Sequence, residues 1–188
     1  MGQGYEPILT VHDNPVWAAA IFCGPLYPEH VATYADFMSA LVARYGVAPY
    51  NIRYFELGNE PDNADVTGNG WVGGCWGKGH PNSAAGAGGD QYAAMLKVVY
   101  PAMKAANANA QVMTGGLAHD YWVEQGGPFD GHFLDDLLAA GGGNYFDVIN
   151  FHLYEAFAGK WGGRCWQGEG NAGQGSSCDR PDETTDDY

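Results

Sequence analysis

Short apolar runs alternate with amphipathic segments along this chain, and every long glycine-rich stretch but one follows an apolar run. Ile8–Val11, Ile52–Leu57, Gln111–Thr114 and Asp147–His152 read as strands, each rich in residues that suit a buried sheet. Between them, Val31, Tyr34, Met38, Leu41 and Tyr45 recur in steps of three and four. Tyr92, Leu96, Val99, Met103 and Ala106 do the same, and so do Phe133, Leu134, Leu137 and Leu138. Gly46 and Gly141–Gly143 are natural helix stops, and Asp90 is the expected cap of the second helix. A β-α-β-α-β-α-β order with near-continuous apolar strands predicts a parallel sheet covered by helices. An open doubly wound sheet and part of a (β/α)₈ barrel both satisfy that order.

Glycine makes up 29 of the 188 residues, which marks long irregular loops between the elements. Tryptophan and tyrosine sit among those glycines, so the loops are not low-complexity linkers. With 8 basic against 22 acidic residues the net charge is −14, which excludes a general phosphate-backbone binder. No apolar run approaches the roughly 20 residues that span a bilayer. No basic residue leads an apolar stretch at the start, so a signal peptide is not expected within these residues. No GxGxxG or GxxxxGK[ST] follows a strand, and the six histidines show no HExxH or HxH spacing. Neither a nucleotide cofactor nor a metal is therefore expected.

Cys23, Cys75, Cys165 and Cys178 form an even set in loop-like sequence with no CxxC pair. We read them as two disulfides of an extracellular or secreted protein, with Cys165–Cys178 the plausible local bridge. Four free thiols in a reducing compartment are the alternative.

Glu60 is the sharpest chemical feature. It stands at the carboxyl end of a strand, where α/β folds place their chemistry, and Pro61 fixes the backbone directly after it. A carboxyl group so placed can serve as a general acid. Glu56 shares its strand parity and is expected to be a structural carboxylate.

Gly58-Asn59-Glu60-Pro61 at a strand end resembles the Asn-Glu-Pro motif of the clan A retaining glycoside hydrolases, which are (β/α)₈ barrels. That resemblance implies Glu60 as the acid/base and Asn59 as the residue that binds the sugar 2-hydroxyl. His152-Leu153-Tyr154 is similar to the His-x-Tyr of the clan's sixth strand, whose Tyr hydrogen-bonds the nucleophile; that resemblance implies His152 and Tyr154 as substrate-binding residues, and the run at 111–114 then takes the place of the fifth. Asn14-Pro15-Val16-Trp17-Ala18 resembles the Pro-x-Trp-Ala segment after the third strand, which implies Trp17 as a wall of the sugar pocket. Trp71, Trp76, Trp161 and Trp166 fall in post-strand loops, where flat aromatics suit stacking on sugars or pack the loops on themselves.

The resemblance implies a partial (β/α)₈ TIM barrel over residues 1–188, with long Gly/Trp-rich βα loops and the first and last units absent. A complete barrel takes about 250 residues. The second carboxylate of retaining chemistry has no candidate here: Glu155 has the wrong strand parity and Glu169 lies in a glycine-rich loop. Two functions follow as alternatives. One is a fragment of a retaining glycosidase acting on oligo- or polysaccharides, with its nucleophile and its remaining barrel units outside this chain. The other is a non-catalytic carbohydrate-binding remnant of the same fold.

Overall fold

The computed structural model describes residues 4–67, 74–118 and 122–152. Three parallel strands form its centre in the order β1 (Ile8–Val11), β2 (Tyr54–Leu57) and β3 (Gln111–Thr114). Their register aligns Thr10 with Glu56 and Glu56 with Met113. Helix α1 (Val31–Tyr45) connects β1 to β2, and α2 (Gly89–Ala106) connects β2 to β3. Helix α3 (Phe133–Ala139) follows β3. The expected α/β order of parallel strands and covering helices is thus present, on a small sheet; a closed barrel is not shown.

Strand alternation sorts the sheet's two faces. Phe55, Leu57 and Val112 are buried in one core with Met38 and Val42 of α1 and with Leu96, Val99 and Met103 of α2. The expected helix stripes carry that contact, although Val42 replaces Leu41 as a buried position in α1. In α3 Phe133 and Leu137 are buried, whereas Leu138 is exposed. At about 100° per residue these four positions span an arc of about 140°, and Leu138 falls at its outer edge.

Three expectations need correction. β1 is not buried: Ile8 is half exposed, because the strand pairs with β2 alone and is the sheet edge. Asp90 does not cap α2. Gly88 holds the cap position at φ +149, and Asp90 lies within the first turn, where its charge still favours the helix dipole. The run at 147–152 lies parallel to β3 but forms isolated bridges, Met113 to Val148 and Leu117 to Phe151, and no ladder. Its pairing is interrupted where the Asn150 amide donates to the Thr114 hydroxyl at 3.2 Å instead of to a carbonyl.

Asp147 ties this segment down. Its carboxylate accepts from the Val112 amide (2.9 Å), Lys104 (3.1 Å) and the Tyr100 hydroxyl (3.0 Å). Burial raises its pKa, but those three donors outweigh burial and hold it below the usual aspartate value.

A disulfide joins Cys23 to Cys75 across 52 residues. It links the β1–α1 connection to the β2–α2 connection. Cys165 and Cys178, the pair expected as a local bridge, lie outside the described residues.

Candidate active site

The site grows from the end of β2. Gly58 adopts φ +96, which lets the chain turn off the sheet while its amide still donates to Val11 at 2.8 Å. Glu60 itself sits at φ +43, a left-handed conformation that costs a residue with a side chain about 1 kcal/mol or more. Its amide donates to the Gly116 carbonyl at 2.9 Å, and its own carbonyl accepts from Asn63 at 3.1 Å. The strain is therefore held by bonds to both sides of the turn.

Packing around the turn is close. A Cβ on Gly74 would come within 2.6 Å of the Asn59 carbonyl oxygen and the Pro61 Cα, so only glycine fits there. Two residues on, the Trp76 amide donates to the Pro61 carbonyl at 3.0 Å. The Cys23–Cys75 bridge lies between these two contacts.

His152 meets Glu60 from the neighbouring segment. Its Nδ1 lies 2.9 Å from Glu60 Oε1, with the two side chains 23% and 14% exposed. The His152 amide donates to Leu117, and its ring passes so close to Gly116 that a Cβ there would collide with it. Gly116 after β3 thus leaves room for the His152 ring to reach Glu60, and Gly115 lets the Gly58–Pro61 turn pack against the end of β3.

One layer down, Glu56 is buried and both of its oxygens are occupied. Oε2 accepts from the Thr10 hydroxyl and Oε1 from the Asn150 side-chain Nδ2, each at 2.6 Å. The expected structural role agrees with this geometry, because the carboxylate links β1, β2 and the 147–152 segment. Neither Thr10 nor Asn150 was marked by sequence. Strand parity with Glu56 is the signal that could have found Thr10.

Tyr92 braces the strand ends from the opposite side. Its hydroxyl donates to the Leu57 carbonyl and accepts from the Gly115 amide at 3.1 Å. Burial raises its pKa above the ordinary tyrosine value. Read along its helix, Tyr92 is one more core position; its polar tip became visible only in three dimensions.

Asn59 lines a pocket with His12, Asp13, Asn14, Tyr34 and Trp76. Trp76 does not stand open in its loop: it is 9% exposed and packs edge-on against Tyr92 at 5.3 Å. Trp17 is the reverse, 57% exposed and edge-on to His30 at 5.1 Å. Residues 12–14 at the end of β1 were not singled out for the site by sequence, though their position after a strand is the same signal that marked Glu60. Trp71, Tyr154, Trp161, Trp166, Glu155 and Glu169 lie outside the described residues.

No family model matches this chain, and no curated protein matches it. Among solved structures it is similar to a family 39 glycoside hydrolase from the gut symbiont Bacteroides cellulosilyticus WH2, at 23% identity with a TM-score of 0.51. That likeness covers 79% of this chain and 25% of the other, so the chain spans about a quarter of that protein's length. At this identity the likeness is one of fold, a parallel sheet with covering helices.

Proposed function

We propose that the chain is part of a retaining glycosidase in which Glu60 is the acid/base. The observation that carries this reading is the placement of Glu60: a mostly buried carboxylate in a left-handed turn at the carboxyl end of a parallel strand, paired with a histidine at 2.9 Å. Backbone strain retained at one residue and stabilised by its surroundings is characteristic of functional positions. The fold likeness to a glycoside hydrolase and the Gly58-Asn59-Glu60-Pro61 motif support the same assignment.

In this reading a second carboxylate, supplied from outside the described residues, attacks the anomeric carbon. Glu60 gives its proton to the departing glycosidic oxygen as that bond breaks. The glycosyl ester that forms is then hydrolysed: Glu60, now a carboxylate, takes a proton from water, whose oxygen attacks the anomeric carbon and releases the nucleophile. His152 orients the Glu60 carboxyl group through Oε1, leaving Oε2 to face the substrate. Asn59, next to Glu60 in the chain, holds the sugar 2-hydroxyl, and Tyr154 hydrogen-bonds the nucleophile, as the resemblance implies. The Cys23–Cys75 bridge fits an oxidising compartment and so an extracellular or secreted enzyme.

Glu60→Gln in the enzyme extended to include the second carboxylate tests the assignment. It preserves shape and hydrogen bonding but removes the transferable proton. Hydrolysis of substrates with poor leaving groups is expected to fall far more than that of activated aryl glycosides, which need little protonation. Equal loss on both contradicts an acid/base role.

A further inference from the structure

The 147–152 segment lies beside β3 without a ladder to hold its register. Its two bridges join Met113 to Val148 and Leu117 to Phe151, so they stand four residues apart on the β3 side and three on the other. One residue therefore bulges out of the β3 side between them, and a bulge re-aims the side chains beside it. Backbone pairing that carries such a bulge does not by itself fix where the residues after it point. A side-chain tie crosses at this level. Asn150 Nδ2 reaches past β3 and donates to Glu56 Oε1 of β2 at 2.6 Å, joining residues 94 apart in sequence.

Asn150 and His152 each meet a carboxylate carried by β2 or by the turn that follows it. Asn150 takes Glu56 and, two residues on, His152 takes Glu60 at 2.9 Å. Both side chains pass Gly116, where a Cβ would collide with the His152 ring and stand 3.0 Å from Asn150 Nδ2. The backbone between them is braced on one residue. The Leu117 amide donates to the Asn150 carbonyl at 3.0 Å, and the His152 amide donates to the Leu117 carbonyl at 2.8 Å. A shift of Asn150 along β3 is thus passed on to the imidazole. Glu56 is 7% exposed, so withdrawing the Asn150 donor strands part of a buried carboxylate, and that penalty keeps the tie closed.

We propose that Glu56, acting through Asn150, is a positioning residue that holds the His152 ring against Glu60. Its consequence for hydrolysis rests on the acid/base reading of Glu60; the contact itself does not. Thr10 supplies an internal comparison. Its hydroxyl bonds the other oxygen of the same carboxylate at 2.6 Å, but from β1, on the far side of β2 from the 147–152 segment. Losing the Thr10 hydroxyl weakens Glu56 without untying Asn150, so a merely structural carboxylate and a positioning one respond differently to the two losses.

Asn150→Ala and Thr10→Val each remove one of these two hydrogen bonds to Glu56. Glu56→Gln keeps both, with its amide nitrogen toward the Thr10 hydroxyl and its oxygen toward Asn150. NMR of the whole chain reads the contact without requiring turnover. Adding Glu60→Gln is expected to move the His152 imidazole resonances in wild type, Glu56→Gln and Thr10→Val, and to leave them unmoved in Asn150→Ala. Asn150→Ser, whose hydroxyl is too short to reach Glu56, serves in its place where Asn150→Ala does not fold. In the enzyme extended to include the second carboxylate, Asn150→Ala is expected to slow hydrolysis of poor-leaving-group substrates by about tenfold or more, and of activated aryl glycosides much less. Thr10→Val and Glu56→Gln are expected to show no such dependence on the leaving group. Loss of the His152 response in both Asn150→Ala and Thr10→Val, or in neither, overturns the proposal. So does a leaving-group signature in Glu60→Gln that Asn150→Ala lacks, which spares the acid/base reading. A response lost in Asn150→Ala alone, with no leaving-group signature in that variant or in Glu60→Gln, upholds the positioning while rejecting the acid/base reading.

Discussion

His152 Nδ1 and Glu60 Oε1 lie 2.9 Å apart although 92 residues separate them in sequence. They meet because the 147–152 segment runs parallel to β3 while Glu60 turns off β2 toward Gly116. The contact depends on glycine at 116, where any side chain meets the imidazole.

Gly116→Ala is therefore expected to separate the pair. Hydrolysis of poor-leaving-group substrates by the complete enzyme should fall by at least about tenfold, the effect of misplacing a general acid. His152→Ala should show the same dependence on leaving group with no collision at Gly116. Steady-state rates on matched substrates check both; a loss independent of leaving group means that His152 does not act through Glu60.

Tyr92→Phe removes a hydroxyl that satisfies the Leu57 carbonyl and the Gly115 amide. Both groups then lie buried without that partner, at a cost of about 1–3 kcal/mol. Urea unfolding should show a lower midpoint with an unchanged slope. An unchanged midpoint means that the hydroxyl contributes nothing to holding β2 and β3 together.

Closing a loop of 52 residues restricts the unfolded chain by about 4 kcal/mol. Reduction, or Cys23→Ser with Cys75→Ser, should lower stability by up to that amount. Thiol titration of the denatured, unreduced chain should find neither Cys23 nor Cys75. Titratable thiols at both positions remove the argument for an oxidising compartment.

Asp147 links stability to acid. Its folded pKa lies below the ordinary value of 3.8, so its contribution is fully present above that value. The contribution is lost as pH falls through the folded pKa. Asp147→Asn should destabilise the chain at neutral pH, and the difference from wild type should shrink below pH 3.8. A difference that stays constant down to pH 2 contradicts this linkage.

Much of the fold was legible because periodicity reports burial. Phe55, Leu57 and Val112 alternate, and Met38, Val99 and Met103 recur on helix faces, as a sheet packed under helices requires. Ile8–Val11 carried the same apolar signal and yet is an edge, since composition does not say how many neighbours a strand has. Glu60 was legible from its place at a strand end before a proline. Thr10, Asn150 and Tyr92 were not, because each acts through a hydrogen bond to a residue distant in sequence. Trp17 and Trp76 looked alike as loop tryptophans; only packing against His30 or Tyr92 decides which one stays exposed.

The most direct test of the central claim is chemical rescue of Glu60→Ala in the enzyme extended through the strand that supplies the second carboxylate. Removing the acid/base leaves activated aryl glycosides able to form the glycosyl ester but slows its hydrolysis, and it opens space for a small anion. Added azide should then raise turnover and yield a glycosyl azide with the anomeric configuration of the substrate. No acceleration by azide, or a glycosyl azide of inverted configuration, contradicts Glu60 as the acid/base of a retaining enzyme.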